Sequence, residues 1–244
     1  MIQGMEELDL GTATPAPLAE LLRPKTLDDV VGQDSLLGPD GRLRMMLAQG
    51  SLGSIILWGP PGTGKTTIAR LLAGAADMVF EPVSAVFDGV AELRKVFARA
   101  EQNRQAGRRS LLFVDEVHRF NKAQQDGLLP RVEDGTVTLV GATTENPSFA
   151  LNGALLSRAQ VLVLNRLDTA ALEAILRRLE AHIGHDLPVD TAARADLCAM
   201  ADGDGRYLLN MAALLIDRPP QPQLDTAALT QIVAAQAPAF DKAG

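Results

Sequence analysis

Residues 54–66 read Ser54-Ile55-Ile56-Leu57-Trp58-Gly59-Pro60-Pro61-Gly62-Thr63-Gly64-Lys65-Thr66, and the rest of the chain is read outward from them. A short apolar run enters a Gly-x-x-x-x-Gly-Lys-Thr loop, and Ile68-Ala69-Arg70-Leu71-Leu72 follows with helical character. Glycines let the backbone curl until successive N–H groups point at one centre, and the helix behind adds the positive end of its dipole. Such a loop holds phosphate. Gly59, Pro60, Pro61, Gly62, Thr63, Gly64 and Thr67 shape and flank the cradle, Lys65 reaches the outer phosphates, and the Thr66 hydroxyl ligates magnesium. A plain Gly/Pro turn between strand and helix would not need the Lys-Thr pair.

Downstream, Ser110-Leu111-Leu112-Phe113-Val114 is a continuous apolar run that meets Asp115 and Glu116. Runs of this kind are strands buried on both faces of a parallel sheet, and ligands bind at the C-terminal edge of such sheets. After a P-loop, Asp115 is expected to hold Mg2+ through its water shell and Glu116 to polarise the attacking water as a base. The bland alternative is that the pair caps a helix. His118 completes an Asp-Glu-x-His tetrad and reads as a supporting polar residue, because no third ligand or base sits near it in sequence. Thr136-Val137-Thr138-Leu139-Val140-Gly141-Ala142-Thr143-Thr144 is another buried strand, this one ending in hydroxyls. Thr144 is the first choice, and Asn146 the reserve, for a polar group touching both outer phosphate and attacking water.

The 244 residues allow one large domain, or one with a smaller satellite. A 47% hydrophobic and 22% charged composition supports a full core. The single cysteine, Cys198, excludes an internal disulfide and fits a reducing compartment. No apolar run has membrane-span length and no signal peptide opens the chain, so cytoplasm is the expected location. A net charge of −7 argues against a surface that coats nucleic acid everywhere, so any DNA contact needs a local basic strip or an assembly.

Residues 1–17 read as a flexible leader, in which Glu7-Leu8-Asp9-Leu10 has a faint likeness to peptides that dock on sliding clamps. Residues 18–166 read as an α/β core, a P-loop sheet of five parallel strands between helices. Met78–Val83 is its second strand, with Pro82 pointing to an edge position or a break, and Val161–Leu164 its last. A helix is expected over 90–106. It buries Leu93, Val96, Phe97 and Ala100 and turns out Arg94, Lys95, Arg99 and Arg104, with Arg108 and Arg109 beyond. That basic cluster is either a solvated face or a nucleic-acid or subunit contact. Residues 167–244 read as a small all-helical lid, with helices near 168–179, 190–201, 204–216 and 224–236.

A P-loop, an Asp-Glu strand end and a polar strand end, in that order and followed by a helical bundle, resemble an AAA+ ATPase. Three motifs narrow the resemblance: Trp58 to Thr66, Asp115-Glu-Val-His-Arg-Phe-Asn-Lys-Ala-Gln-Gln-Asp126, and Gly141-Ala-Thr-Thr-Glu-Asn-Pro-Ser-Phe149. Together they are similar to the replication-associated recombination protein A (RarA/MgsA) family of the clamp-loader clade, whose eukaryotic counterpart is the Werner-helicase-interacting protein. That resemblance implies ATP as substrate, Mg2+, and a DNA-stimulated ATPase at stalled or gapped replication forks. It implies tetramers and an interaction with single-strand DNA-binding protein. Arg158 then matches an arginine finger for a neighbouring subunit, and Arg206 a lid arginine that senses nucleotide. Arg23-Pro24 and Val31-Gly32 match the segment lining the adenine pocket. Without the family, each arginine reads equally as a surface salt bridge.

The family normally continues for nearly as many residues again, and this chain stops at Gly244. Either a truncated product or a short natural form is expected, and both put tetramerisation and the reach of Arg158 in question. The rival expectations are a clamp-loader subunit or branch-migration motor, and a nucleotide-gated interaction module with little turnover.

Overall fold

The computed structural model describes residues 17–219 and 221–240, so the leader up to Ala16, with Glu7–Leu10, lies outside it. Five strands form one sheet: β1 (Ile55–Trp58), β2 (Met78–Ser84), β3 (Arg109–Asp115), β4 (Thr138–Thr143) and β5 (Gln160–Val163). All are parallel, in the order β2-β3-β4-β1-β5. The expected α/β class holds. β2 lies at an edge, where Pro82 costs no ladder donor on the open side.

Helices α1 (Leu18–Leu21), α2 (Asp34–Leu37) and α3 (Arg42–Ala48) precede the sheet. The second and third were missed in sequence, although Leu36, Leu37 and Leu43 are buried. Next come α4 (Lys65–Ala75), α5 (Val90–Gln105), α6 (Lys122–Glu133), α7 (Pro147–Ala150) and α8 (Gly153–Leu156). Side chains alternate across a strand, so β3 splits between two cores. Leu111 and Phe113 pack with Ile68 and Leu72 of α4, while Leu112 and Val114 pack with Leu93, Val96 and Leu128 of α5 and α6. Helices cover both faces, as the apolar runs required.

The basic side of α5 is partly consumed inside the fold. Arg99 pairs with Glu81 at 2.8 Å and Lys95 with Glu92 at 3.0 Å, and Arg104 donates to the Thr136 hydroxyl. Arg94, Lys95, Arg99, Arg104, Arg108 and Arg109 nevertheless all remain exposed.

Helices α9 (Thr169–Ile183), α10 (Thr191–Ala201), α11 (Gly205–Ala213) and α12 (Thr226–Phe240) complete the described chain. Each starts behind an aspartate that accepts a first-turn N–H: Asp168 from Ala171, Asp190 from Ala193, Asp204 from Arg206 and Tyr207, and Asp225 from Ala228. Leu172, Leu176, Leu179, Leu197, Leu208 and Leu229 build their common core. Leu18, Ala19, Leu22 and Val31 pack into this helical core and not under the sheet, and α1 lies against α11. Leu27, Val30, Leu36, Leu37 and Leu43 of the same N-terminal stretch pack instead with the sheet core.

Candidate nucleotide-binding site

β1 stands between β4 and β5, at the point where the strand order turns back on itself, and the Gly59–Thr66 loop leaves its C-terminal end. Ligands of open α/β sheets bind outside the strand ends at such a point. Gly64, left-handed at φ +95, hands the loop to α4, whose first residue is Lys65. Lys65 Nζ donates to the Gly59 and Pro60 carbonyls, both at 2.8 Å, and Thr63 Oγ1 donates to Pro60 O at 2.9 Å. Gly59 and Pro60 thus tether the lysine and are not cavity walls. Burial pushes the Lys65 ammonium below its ordinary value; Glu116 and Asp115 pull it back, and Arg206 adds to the lowering. A lysine held on its own loop beside two carboxylates is poised to exchange those carbonyls for phosphate oxygens.

Asp115 closes β3 and Glu116 follows in a left-handed conformation (φ 51, ψ 47), unusual for a residue with a side chain. Its carboxylate oxygen Oε2 lies 3.5 Å from Thr144 Oγ1, beyond the end of β4. The same oxygen lies 3.3 Å from His118 Nδ1. His118 in turn meets Thr143 Oγ1 at 2.9 Å. Thr144 thus lies beside Glu116, whereas Asn146 caps α7, accepting the Ser148 N–H at 3.0 Å.

A cavity of about 440 Å³ joins these groups to the helical unit. Pro61, Gly62, Thr63, Gly64, Lys65, Thr66, Thr67, Asp115, Glu116 and Arg206 line its polar end, and Arg23 and Val31 its other end with Leu22, Leu167 and Ile175. Polar groups suited to phosphates and an apolar slot suited to a flat base thus share one space. Arg23 donates to Thr67 Oγ1 at 3.1 Å and pairs with Glu20, so it braces the wall of the slot. Gly32 does not line the cavity. At φ +73 it lies where a Cβ would come within 2.8 Å of Leu167 Cδ2, so it serves the close approach of Leu167 and Ala171. Another depression of similar volume, bounded by Leu214, Arg218, Ala228 and Ile232, carries no carboxylate and lies apart from the loop.

Sequence reasoning missed Arg178, Leu209 and Asn210, which also line the slot. Leu209 and Asn210 lie three and four residues past Arg206, on one face of α11, and that spacing was readable. Arg178 is held by donating to the Asp29 carbonyl at 2.5 Å, a contact across 149 residues that no local pattern announces. Arg158 stays outside the cavity. It pairs with Glu133 and donates to Ala154 O at 2.9 Å.

The donor set fits magnesium. The Thr66 hydroxyl and Asp115 carboxylate open on the same cavity, and hard oxygens of this kind, completed by phosphates and water, are what Mg2+ takes. No cluster of three or more His, Cys, Asp or Glu able to hold a metal occurs among the described residues.

Residues 55–167 match the family described as ATPase family associated with various cellular activities (AAA). The chain carries an AAA ATPase domain. It is 44% identical to replication-associated recombination protein A of Escherichia coli K12, over 97% of this chain and 55% of that protein. It is 43% identical to ATPase WRNIP1 of Dictyostelium discoideum, over 82% of this chain and 23% of that one. The chain spans about half the length of the bacterial relatives it matches. Among solved structures, the Thermotoga maritima RuvB Holliday junction branch migration motor superposes with a TM-score of 0.70 at 25% identity, covering 88% of this chain and 72% of that one. The AAA match agrees with the site reached from the residues alone, and no helix among the described residues is long and apolar enough to cross a membrane.

Proposed function

We propose that this chain is an ATP-hydrolysing module that works on DNA in replication-associated recombination. The observation that carries the hydrolytic reading is the meeting of Glu116 and Thr144 at adjacent strand ends beside the phosphate loop. The base enters the apolar slot, and the phosphates lie along Gly62–Thr66. Thr66 and Asp115 would hold Mg2+, which neutralises phosphate charge when bound. Glu116 accepts a proton from a water, whose oxygen attacks the γ-phosphorus as the bond to the bridging β–γ oxygen breaks, giving ADP and phosphate. Thr144 orients that water from the neighbouring strand, and Arg206 reports the γ-phosphate to α11.

The DNA reading rests on the names of the relatives, which concern replication-associated recombination and branch migration. We assign the chain, with single-strand or fork ends of DNA and single-strand DNA-binding protein as partners, to the cytoplasm at replication forks. Of the two recombination functions among the relatives, 44% identity favours the first over the 25% of the RuvB likeness. A second reading, a nucleotide-gated interaction module with slow turnover, is favoured by Arg158 being tied to Glu133 within its own chain.

Steady-state ATPase assays with and without forked DNA test both. Lys65→Ala should abolish nucleotide binding, and Glu116→Gln should keep binding while removing at least 99% of turnover. Full turnover in Glu116→Gln overturns the hydrolytic reading.

A further inference from the structure

The phosphate loop and the two acidic residues account for binding and chemistry, yet they leave one buried ring unused. His118 sits on the short turn Val117–Arg119, with a side chain only 4% exposed. Its Nδ1 lies 2.9 Å from Thr143 Oγ1 and 3.3 Å from Glu116 Oε2. Its Nε2 faces Glu145 Oε1 at 3.4 Å. Thr143 Oγ1 already accepts the Glu145 N–H at 3.0 Å, and its own hydrogen is turned toward Glu145 O at 3.3 Å. The Nδ1 edge of the ring thus faces Thr143 and Glu116 together, and the Nε2 edge faces Glu145.

We infer that His118 is a positioning residue that fixes the carboxylate of Glu116, and that Glu145 orients the ring from its far side. The inference rests on the reading of Glu116 as the base. A glutamate has three side-chain torsions and several rotamers, and a base must stay within hydrogen-bond reach of its water to contribute. The Thr144 contact alone is long, at 3.5 Å, while the ring is closer and is itself locked by burial and by Thr143. Locked groups that hold a reacting group are what raise turnover without touching substrate. The chain so formed, Glu145 to His118 to Glu116, links the turn after β4 to the end of β3. Glu145 is the outward end of it, 59% exposed.

The test measures kcat and KM for ATP, with nucleotide affinity from equilibrium titration, on the full chain with Mg2+. His118→Ala should lower kcat at least tenfold and leave ATP affinity within twofold. His118→Asn, whose amide nitrogen falls near the position of Nδ1, should recover a large part of the loss. Glu145→Gln should give an intermediate loss, about threefold. The double variant decides between positioning and mere structure: in a Glu116→Gln background, His118→Ala should change the residual rate less than twofold. An unchanged kcat in His118→Ala, an equal fall in affinity, or the same tenfold loss in the Glu116→Gln background overturns the inference. If Glu116→Gln itself is fully active, the reading of the base has failed instead, and the two failures are told apart.

Discussion

At Gly62 two demands fall on one residue. Its backbone is left-handed at φ +67, and a Cβ there would overlap the Asp204 carboxylate and come within 2.9 Å of the Asp204 Cα. The Gly62 carbonyl also accepts the Gly205 N–H at 3.2 Å, so the phosphate loop rests directly on the start of α11. Gly62→Ala should therefore destabilise the chain by about 2 kcal/mol or more and weaken ATP binding. Gly74 is the control. It lies within α4 with nothing within 4 Å of an added Cβ, and Gly74→Ala should raise stability by about 0.5–1 kcal/mol. Thermal melts and ATP titrations of the two variants check both signs. Single residues were legible wherever chemistry dictated the type: Lys65, Thr66, Asp115, Glu116 and Thr144 all gather as spacing required. Gly32 was not legible, because a glycine that admits a neighbouring side chain and one that admits a ligand look alike in one dimension.

Among elements, α11 carries the most. Its N-cap Asp204 accepts from Arg206 and Tyr207, its first turn touches Gly62, and it supplies Arg206, Leu209 and Asn210 to the cavity lining. Asp204→Ala should cost about 1 kcal/mol from the lost cap and loosen Arg206 from the γ-phosphate position. A circular-dichroism melt and the ATP/ADP affinity ratio are the measurements. The helical unit is further pinned by Arg194, which meets Glu180 at 2.6 Å and 3.0 Å and Glu173 at 3.0 Å. Burial alone would raise the Glu180 carboxyl, but the Arg194 guanidinium and the Leu187 N–H outweigh it and hold it below its ordinary 4.5. A folded value below the unfolded one adds stability at pH above about 4.5, and that share is lost as pH falls through the folded value. The melting temperature should therefore drop on acidification below about pH 4.5, and Glu180→Gln should flatten that part of the curve.

The helix caps at Asp168 and Asp225 were readable in sequence, and so was the buried face of α5. The segment 118–126 stood out only by resemblance, and its geometry now supplies the reason. Asn121 and Gln124 close a capping box on α6. The buried Gln125 bonds Phe120 O and the Asn152 N–H, and Asp126 takes the Asn152 side chain. These residues splice α6 to the loop before α8, a long-range task that leaves no periodic trace. α2 and α3 escaped for a related cause, since neither helix is long enough to show a period.

For the whole molecule, the open question put by the sequence is whether subunits meet. Arg158 and Glu133 form a half-exposed pair, which contributes little to stability. Arg158→Ala should thus melt within about 0.5 kcal/mol of the parent. If Arg158 serves a neighbour's γ-phosphate, turnover per chain should rise with protein concentration, and Arg158→Ala should remove that rise by about a hundredfold or more at saturation. Turnover measured across a dilution series, alongside mass by light scattering, decides it.

The packing of Leu18, Ala19, Leu22 and Val31 among α9–α12 also bears on how the chain is made. The sheet unit is inserted between two pieces of one helical unit. On the ribosome the first piece emerges early and must wait, its apolar side chains uncovered, until α9, α10 and α11 follow the whole sheet out. β1 to β5 can pair in the meantime. The cavity's apolar wall, built by Leu22 and Val31 together with Leu167, is then completed only when the residues after the sheet close over those before it. Nascent chains arrested before α11 should accordingly carry a folded sheet and no base slot, so competence for nucleotide arrives only once α11 has emerged.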